Sequence, residues 1–318
     1  MSNRQNLVSG FFAAVTSAGM NRDAVLIDAL TSQAPFLGKC QWSRANRVIH
    51  HVYREVDQIE GLQFFDFDGR LPEVKASFSL GSASLTPLGG RIELGEDTAT
   101  MMGGANEFFR EQSILLARHA GQQLEEQFFH LICVNAIKHN KVFMYSDTPG
   151  VTIAVVSWNA LETCGLFSPA FKKPHGDFFE LEKYHGGQVY PNQAGVNVFG
   201  AYCKATVGLL LANKNAIAVL TNVPKNTDLK DFPKKFATAM ADVIDSADPN
   251  QHTTVIMPRQ FKTKIASAVA HHGTGNALIQ VDANFNMRIC GALVIGSPNV
   301  PMSYGGFDRV EPPETPAP

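Results

Sequence analysis

Between positions 96 and 140 the apolar residues Phe109, Leu116, Ala120, Leu124, Phe128, Leu131 and Ile132 recur at steps of three, four and seven. That spacing lays them along one face of a helix. Glu107, Arg110, Glu111, Arg118, Gln122, Gln123 and Glu125 fall largely between them, and no proline interrupts the run. The pattern predicts one continuous helix over 105–139, on the order of 50 Å long at about 1.5 Å per residue. Gly121 sits in its middle and costs roughly 1 kcal/mol against alanine, so packing has to cover that loss. The usual globular helix is about three turns; this one reads as a strut on which other elements hang. Its packing residues are Phe109, Leu116, Leu124, Phe128 and Leu131.

The period changes before the helix. Val74, Ala76, Phe78 and Leu80 alternate with Lys75, Ser77 and Ser79, as in a half-buried strand. Strands are expected at 61–67, 74–80 and 91–94, separated by the turn signals Asp68-Gly69, Gly81-Ser82 and Gly89-Gly90. A hairpin with one apolar face is barely stable alone. No helical partner adjoins it in the chain, so the face formed by Val74, Ala76, Phe78 and Leu80 points to contact with a neighbouring subunit.

Residues 1–60 read as an arm of modest local structure, with a short helix at 22–30, a turn around Pro35 and an alternating or weakly helical segment at 44–56. After the long helix, strands are expected at 142–145 and 151–156, then a loop-rich stretch over 160–195 with a short helix near 158–162. Positions 196–223 predict two strands with Asn213–Asn215 as the turn, 232–244 a helix and 253–257 a buried strand. Pro258 opens a further helix to about Val269, and strands at 278–281 and 287–295 close the fold. The proline-rich end, EPPETPAP, is a tail.

Composition narrows the classes. With 318 residues and 45% apolar content the chain can bury a large core, while charged residues are sparse at 18%; this favours extensive buried contacts with other copies of the chain. A net charge of −2 argues against gripping nucleic acid through a broad basic face. Cys40, Cys133, Cys164, Cys203 and Cys290 form no Cys-x-x-Cys pair, the pattern of reduced, mostly buried thiols in a cytosolic setting. No apolar run reaches membrane-spanning length, and the patch at 11–15 lacks a signal-peptide layout.

Candidate chemistry is thin. Gly273-Thr274-Gly275-Asn276 lacks the lysine of a phosphate-binding loop and reads as a surface turn. His50-His51 and His271-His272 are adjacent pairs whose rings diverge, without metal-ligand spacing. Asp66 and Asp68 suit a solvated strand end, and Phe64, Phe65 and Phe67, with only Arg70 nearby, suit packing better than base stacking. No Gly-x-Ser-x-Gly elbow occurs. These readings assign no catalytic, cofactor-binding or metal residue.

Four segments, taken in order over about residues 55–300, resemble the major capsid proteins of tailed bacteriophages with the Hong Kong 97-type fold. They are Leu71-Pro72-Glu73-Val74 with Pro87-Leu88-Gly89-Gly90-Arg91-Ile92-Glu93-Leu94 leading into the long helix; 199–223 with Gly208-Leu209-Leu210 and Leu220-Thr221-Asn222-Val223; Thr253-Thr254-Val255-Ile256-Met257-Pro258-Arg259; and Ile289-Cys290-Gly291-Ala292-Leu293-Val294. Ala292 or Leu293 stands where that family commonly has proline, and Ala218 and Thr221 where it often has arginine. The resemblance implies an α+β fold with an N-terminal arm (1–60), an extended hairpin loop (61–95), a peripheral domain (96–225) carrying the spine helix 105–139, an axial α/β domain (226–285), a closing strand (286–300) and a tail (301–318). It implies a subunit that self-assembles through hexamers and pentamers into an icosahedral head enclosing double-stranded DNA by non-specific contact. Portal and cement or decoration proteins would be further partners, in a virion assembled in the host cytoplasm, with no membrane. Two alternatives stand beside it: an encapsulin-like bacterial shell around a cargo enzyme, and a soluble enzyme using Asp66, Asp68 and nearby histidines.

Overall fold

A computed structural model of the chain describes residues 29–60, 64, 73–168, 181–225, 232–245, 252–272, 278–282 and 286–304. Its strands are β1 (Trp42–Arg44), β2 (His50–Glu60), β3 (Lys75–Gly95), β4 (Val142–Met144), β5 (Val151–Trp158), β6 (Thr163–Phe167) and β7 (Glu182–Lys183). They continue with β8 (Tyr190–Pro191), β9 (Asn197–Leu211), β10 (Ile217–Val223), β11 (His252–Pro258), β12 (Ile279–Val281), β13 (Met287–Ile289) and β14 (Ala292–Ser297). The helices are α1 (Glu96–Met101), α2 (Ala105–Lys138), α3 (Phe232–Asp245) and α4 (Arg259–His272).

All of β5 is buried, and its near-continuous run of Val, Ile and Ala is what a strand covered on both faces requires. It lies in a seven-stranded sheet ordered β12-β13-β14-β11-β5-β10-β4. The period of two sends Val151, Ile153 and Val155 to one face, where they meet Phe232, Phe236 and Met240 of α3 and Phe261 and Ile265 of α4. Ala154, Val156 and Trp158 go to the other face and meet Leu124, Phe128 and Ile132 of α2. The same helix also packs on Cys203, Ala205 and Val207 of β9, which belongs to a second sheet ordered β1-β6-β9-β3-β2, with β7 and β8 on β9. The long helix therefore carries both sheets, and the fold is α+β.

α2 is continuous over 34 residues, with no break at Gly121. A Cβ at Gly121 would lie 2.1 Å from the Leu30 carbonyl oxygen. The helical turn containing Leu30 presses its backbone against the long helix at that point, and this contact is what offsets the glycine's conformational cost. Of the 22–30 helix expected from the pattern, residues 22–28 lie outside the described residues, and residues 29–32 are helical.

Several elements differ from the sequence expectation. The turn signals Gly81-Ser82 and Gly89-Gly90 lie inside one strand, β3, of 21 residues. Glycine there serves close approach: a Cβ at Gly89 would sit 2.3 Å from the Cys203 carbonyl oxygen, and one at Gly81 would strike the Tyr53 ring. The partner of the outer half of β3 is β2, at His50–Glu60, a stretch that the pattern placed in the arm; the expected partner strand at 61–67 lies outside the described residues except for Phe64. Residues 158–162 form the end of β5 and a turn, and the buried β6 follows directly. β9 and β10 flank the Lys214–Ala216 turn as expected but enter different sheets. The strand expected at 287–295 is two strands, β13 and β14, paired through a turn at Cys290 (φ 50°) and Gly291 (φ 84°).

The β5-centred sheet takes β4, β5 and β10 from before position 225 and the rest from after it. Pairing along the sheet, not chain order, assembles this layer. Cys40, Cys133, Cys164 and Cys203 are buried and Cys290 is half-buried; burial pushes the Cys164 thiol up to about 12. Among the described residues no helix is long and apolar enough to cross a membrane.

Candidate assembly interface

The outer hairpin is built from β2 and residues 75–84 of β3, antiparallel from His50↔Ser84 to Glu60↔Lys75, with an irregularity between Val56 and Gln58. Ten residue pairs at about 3.4 Å each make a ladder roughly 35 Å long. From Leu85 to Gly95 the same β3 pairs with β9 in the body, from Leu85↔Gly208 to Gly95↔Val198. One strand thus serves both the hairpin and the core.

Its root is fixed by backbone bonds. Asn46 clasps Val52, donating Nδ2–H to the Val52 carbonyl at 2.6 Å and accepting the Val52 N–H on Oδ1 at 2.9 Å. The Asn46 N–H donates to His51 Nδ1 at 3.2 Å, which gives that histidine a structural task. The Leu85 N–H reaches the Ile49 carbonyl at 2.9 Å, and Ser168 Oγ donates to the Val48 carbonyl at 2.7 Å. Leu116 of α2 packs behind β3, its Cδ1 3.0 Å from where a Cβ of Gly90 would stand.

Beyond the root the ladder has little cover. Phe78 is 56% exposed, Leu80 74% and Val74 48%. Phe78 and Leu80 share a face of β3 by the period of two, opposite Lys75, Ser77 and Ser79; Val74 immediately precedes the strand, and the side chain of Ala76 lies outside those described. Of the expected helix-packing residues, Phe109, Leu124 and Phe128 are buried, and Leu116 and Leu131 are half-buried against the main core. Asp66 and Asp68, with Phe65, Phe67, Arg70 and the 273–276 loop, lie outside the described residues, as do the side chains of His271 and His272.

Sequence reasoning missed Glu125. It was grouped with the polar face of the helix, yet it is fully buried. Its Oε1 accepts the Phe36 N–H at 2.7 Å, and its Oε2 accepts from Asn299 Nδ2 at 2.5 Å and from Ser297 Oγ. The signal was present: Glu125 adjoins Leu124 and stands three before Phe128, inside the apolar arc. A second polar group spans β3, β7, β8 and β9: Arg91 pairs with Glu93 at 2.5 Å, Tyr190 donates to Glu93 at 2.9 Å and Tyr202 donates to Glu182. That last bond holds the Tyr202 hydroxyl up at about 12.

No protein-family model matches the chain. No curated protein matches it either. Solved structures do. The capsid of bacteriophage JBD30 aligns over 85% of this chain and 90% of its own, at 11% identity and a TM-score of 0.53. The bacteriophage Epsilon15 structure aligns over 80% and 84%, at 10% identity and 0.49. The SrpI encapsulin of Synechococcus elongatus PCC 7942 aligns over 59% and 86%, at 11% identity and 0.42. Together with the long helix under two sheets and the extended hairpin, the JBD30 match shows that the chain has the Hong Kong 97-type fold of tailed-phage major capsid proteins.

Proposed function

We propose that this chain is a major capsid protein, a structural subunit and not an enzyme. It assembles through hexamers and pentamers into the icosahedral head that encloses phage double-stranded DNA. The observation that carries this reading is the outer hairpin: a ladder two strands wide, fixed at its root, with Phe78 and Leu80 exposed on one face and Val74 exposed just before β3. Two strands alone are marginal in water, so the face calls for cover from a neighbouring subunit. The exposed parts of these side chains together amount to about two full side chains, so covering them is worth roughly 3–5 kcal/mol at about 1.5–3 kcal/mol for each complete burial. The fold shared with the JBD30 capsid supports the reading.

In this account β2 and residues 75–84 of β3 serve as the extended loop in place of the expected 61–95, the chain before β2 serves as the arm, and 85–95 belongs to the body sheet; the peripheral (96–225) and axial (226–285) domains share the β5-centred sheet, which 286–300 closes as two strands. Portal and cement or decoration proteins are the further partners, and the assembled product is the virion. Electron microscopy of the purified chain tests the proposal. Closed shells are expected; monomers or small oligomers at all concentrations would overturn it. Nuclease-protected DNA inside shells from infected cells supports a phage head, whereas a protein cargo in its place would make the shell encapsulin-like.

A further inference from the structure

Glu125 stands where three separate stretches of chain meet. The Phe36 N–H comes from the segment that precedes the first sheet, and Ser297 and Asn299 come from the end of β14. Asn299 Nδ2 also donates to the Gln33 carbonyl at 2.8 Å, and its N–H donates to Ser297 Oγ at 3.0 Å. One carboxyl on the spine helix therefore fastens the 33–36 and 297–299 segments to it. All three partners donate to Glu125, which suits a carboxylate. Full burial opposes a carboxylate, and among the described residues no cation stands beside it. The titratable group facing it from the neighbouring segment is Cys40, a buried thiol. Lys39, next to Cys40 in the chain, is coupled to Lys262. Phe36, Ser297 and Asn299 do not titrate.

We propose that Glu125 is a proton-sensitive latch, tight when it carries a proton and slackened when it ionises, that governs how firmly the 33–36 and 297–304 segments hold to the spine helix. In the protonated form the carboxyl O–H on Oε2 donates to Ser297 Oγ, whose own proton turns away, and the Phe36 N–H remains on Oε1. Burial raises the Glu125 carboxyl above its ordinary 4.5, and the bonds from Ser297, Asn299 and Phe36 offset only part of that rise. Opening the latch returns the carboxyl to water and to its ordinary value. The closed form thus holds the proton more tightly than the open form. Closure is fully favoured below the ordinary value and weakens as pH rises through the raised one. Once ionised, the closed latch holds a buried charge with no cation beside it among the described residues, and it is then the point from which these segments let go.

Amide hydrogen exchange of the full chain, followed by mass spectrometry on peptides covering 30–37 and 296–304 and corrected for intrinsic chemical exchange, reads the opening equilibrium across a pH series. In the wild type opening grows with pH by up to about tenfold per unit within the window, the limit for one proton, and then levels. In Glu125→Gln the dependence is flat. Ser297→Ala removes a donor that favours the charged form and moves the rise to higher pH. The proposal is overturned if Glu125→Gln keeps the wild-type pH dependence, or if protection of these peptides falls on acidification. Should Glu125→Gln fail to fold, Ser297→Ala decides alone, and an unmoved midpoint overturns the proposal.

Discussion

Phe78 and Gly121 carry opposite lessons about single residues. Phe78 is exposed in the isolated chain and contributes little to its core, so Phe78→Asp leaves the subunit folded and places a charge where a neighbour's surface should close. The expected outcome is a soluble, folded chain that forms no shells by light scattering and microscopy; normal assembly of the variant would remove the hairpin from the subunit contact. Gly121 is the reverse, invisible from outside and indispensable within. Its missing side chain admits the Leu30 carbonyl, and Gly121→Ala forces either the helical turn at 29–32 or the spine to shift. Such overpacking costs about 1–3 kcal/mol, more than the roughly 1 kcal/mol that alanine returns as helix propensity. The urea midpoint of the unassembled chain should fall with an unchanged slope; a rise in midpoint would mean that the close approach relaxes freely.

At the scale of elements, the proposed function makes the hairpin the part that decides how a shell would respond to solvent. Its exposed face is apolar, and exposed ion pairs are worth only about 0–1 kcal/mol each. Assembled particles should therefore keep their scattering through a salt series and lose it in urea. Dissociation by moderate salt, with urea having little effect below unfolding, would show that charge pairs hold the subunits together. The elements also show what sequence periodicity can and cannot carry. α3 and α4 are legible because each has one dominant neighbour layer, so the apolar period equals the burial period; β5 is legible as a near-continuous apolar run because both its faces are covered, and the spine by a long apolar arc that no proline interrupts. β3 is misread at Gly81 and Gly89-Gly90 because glycine is a turn signal by frequency, whereas here it makes room for Tyr53 and for the β9 backbone. β6, with all five residues buried, is missed because Gly165 and Cys164 dilute its apolar run. Strand partners were the least legible. Nothing in the residues of β2 announces that it pairs with β3, since pairing is settled between stretches far apart in the chain. The exposed apolar face is readable from alternation alone; Glu125 carries its signal in its place inside the apolar arc, but a lone carboxylate there is easily taken for the arc's edge.

For the whole molecule, the decisive arrangement is one helix packed under two sheets. Phe128 and Ile132 share a core with Val156 and Ile256 of one sheet and with Ala205 and Val207 of the other. Neither sheet can lose its cover without exposing the other's, so the unassembled subunit should unfold in a single calorimetric transition with matching van 't Hoff enthalpy. Two resolved transitions would mean that the α3–α4 layer and its sheet melt independently of the hairpin-bearing sheet.

The passage of β3 from the hairpin into the body without a break has a mechanical consequence. A neighbour that pulls on the hairpin along its length loads the β3–β9 ladder in shear, because the strand under tension runs antiparallel beside its partner over eleven register pairs, from Leu85 to Gly95. In that direction all the hydrogen bonds share the force and must yield together. A pull across the hairpin would instead unzip the β2–β3 ladder one bond at a time. The subunit is in this sense an anisotropic fastener, stiff along the hairpin and compliant across it. A closed container under internal pressure would exploit that difference by stretching its hairpins lengthwise, so that the load passes through the sheet to the helix beneath it.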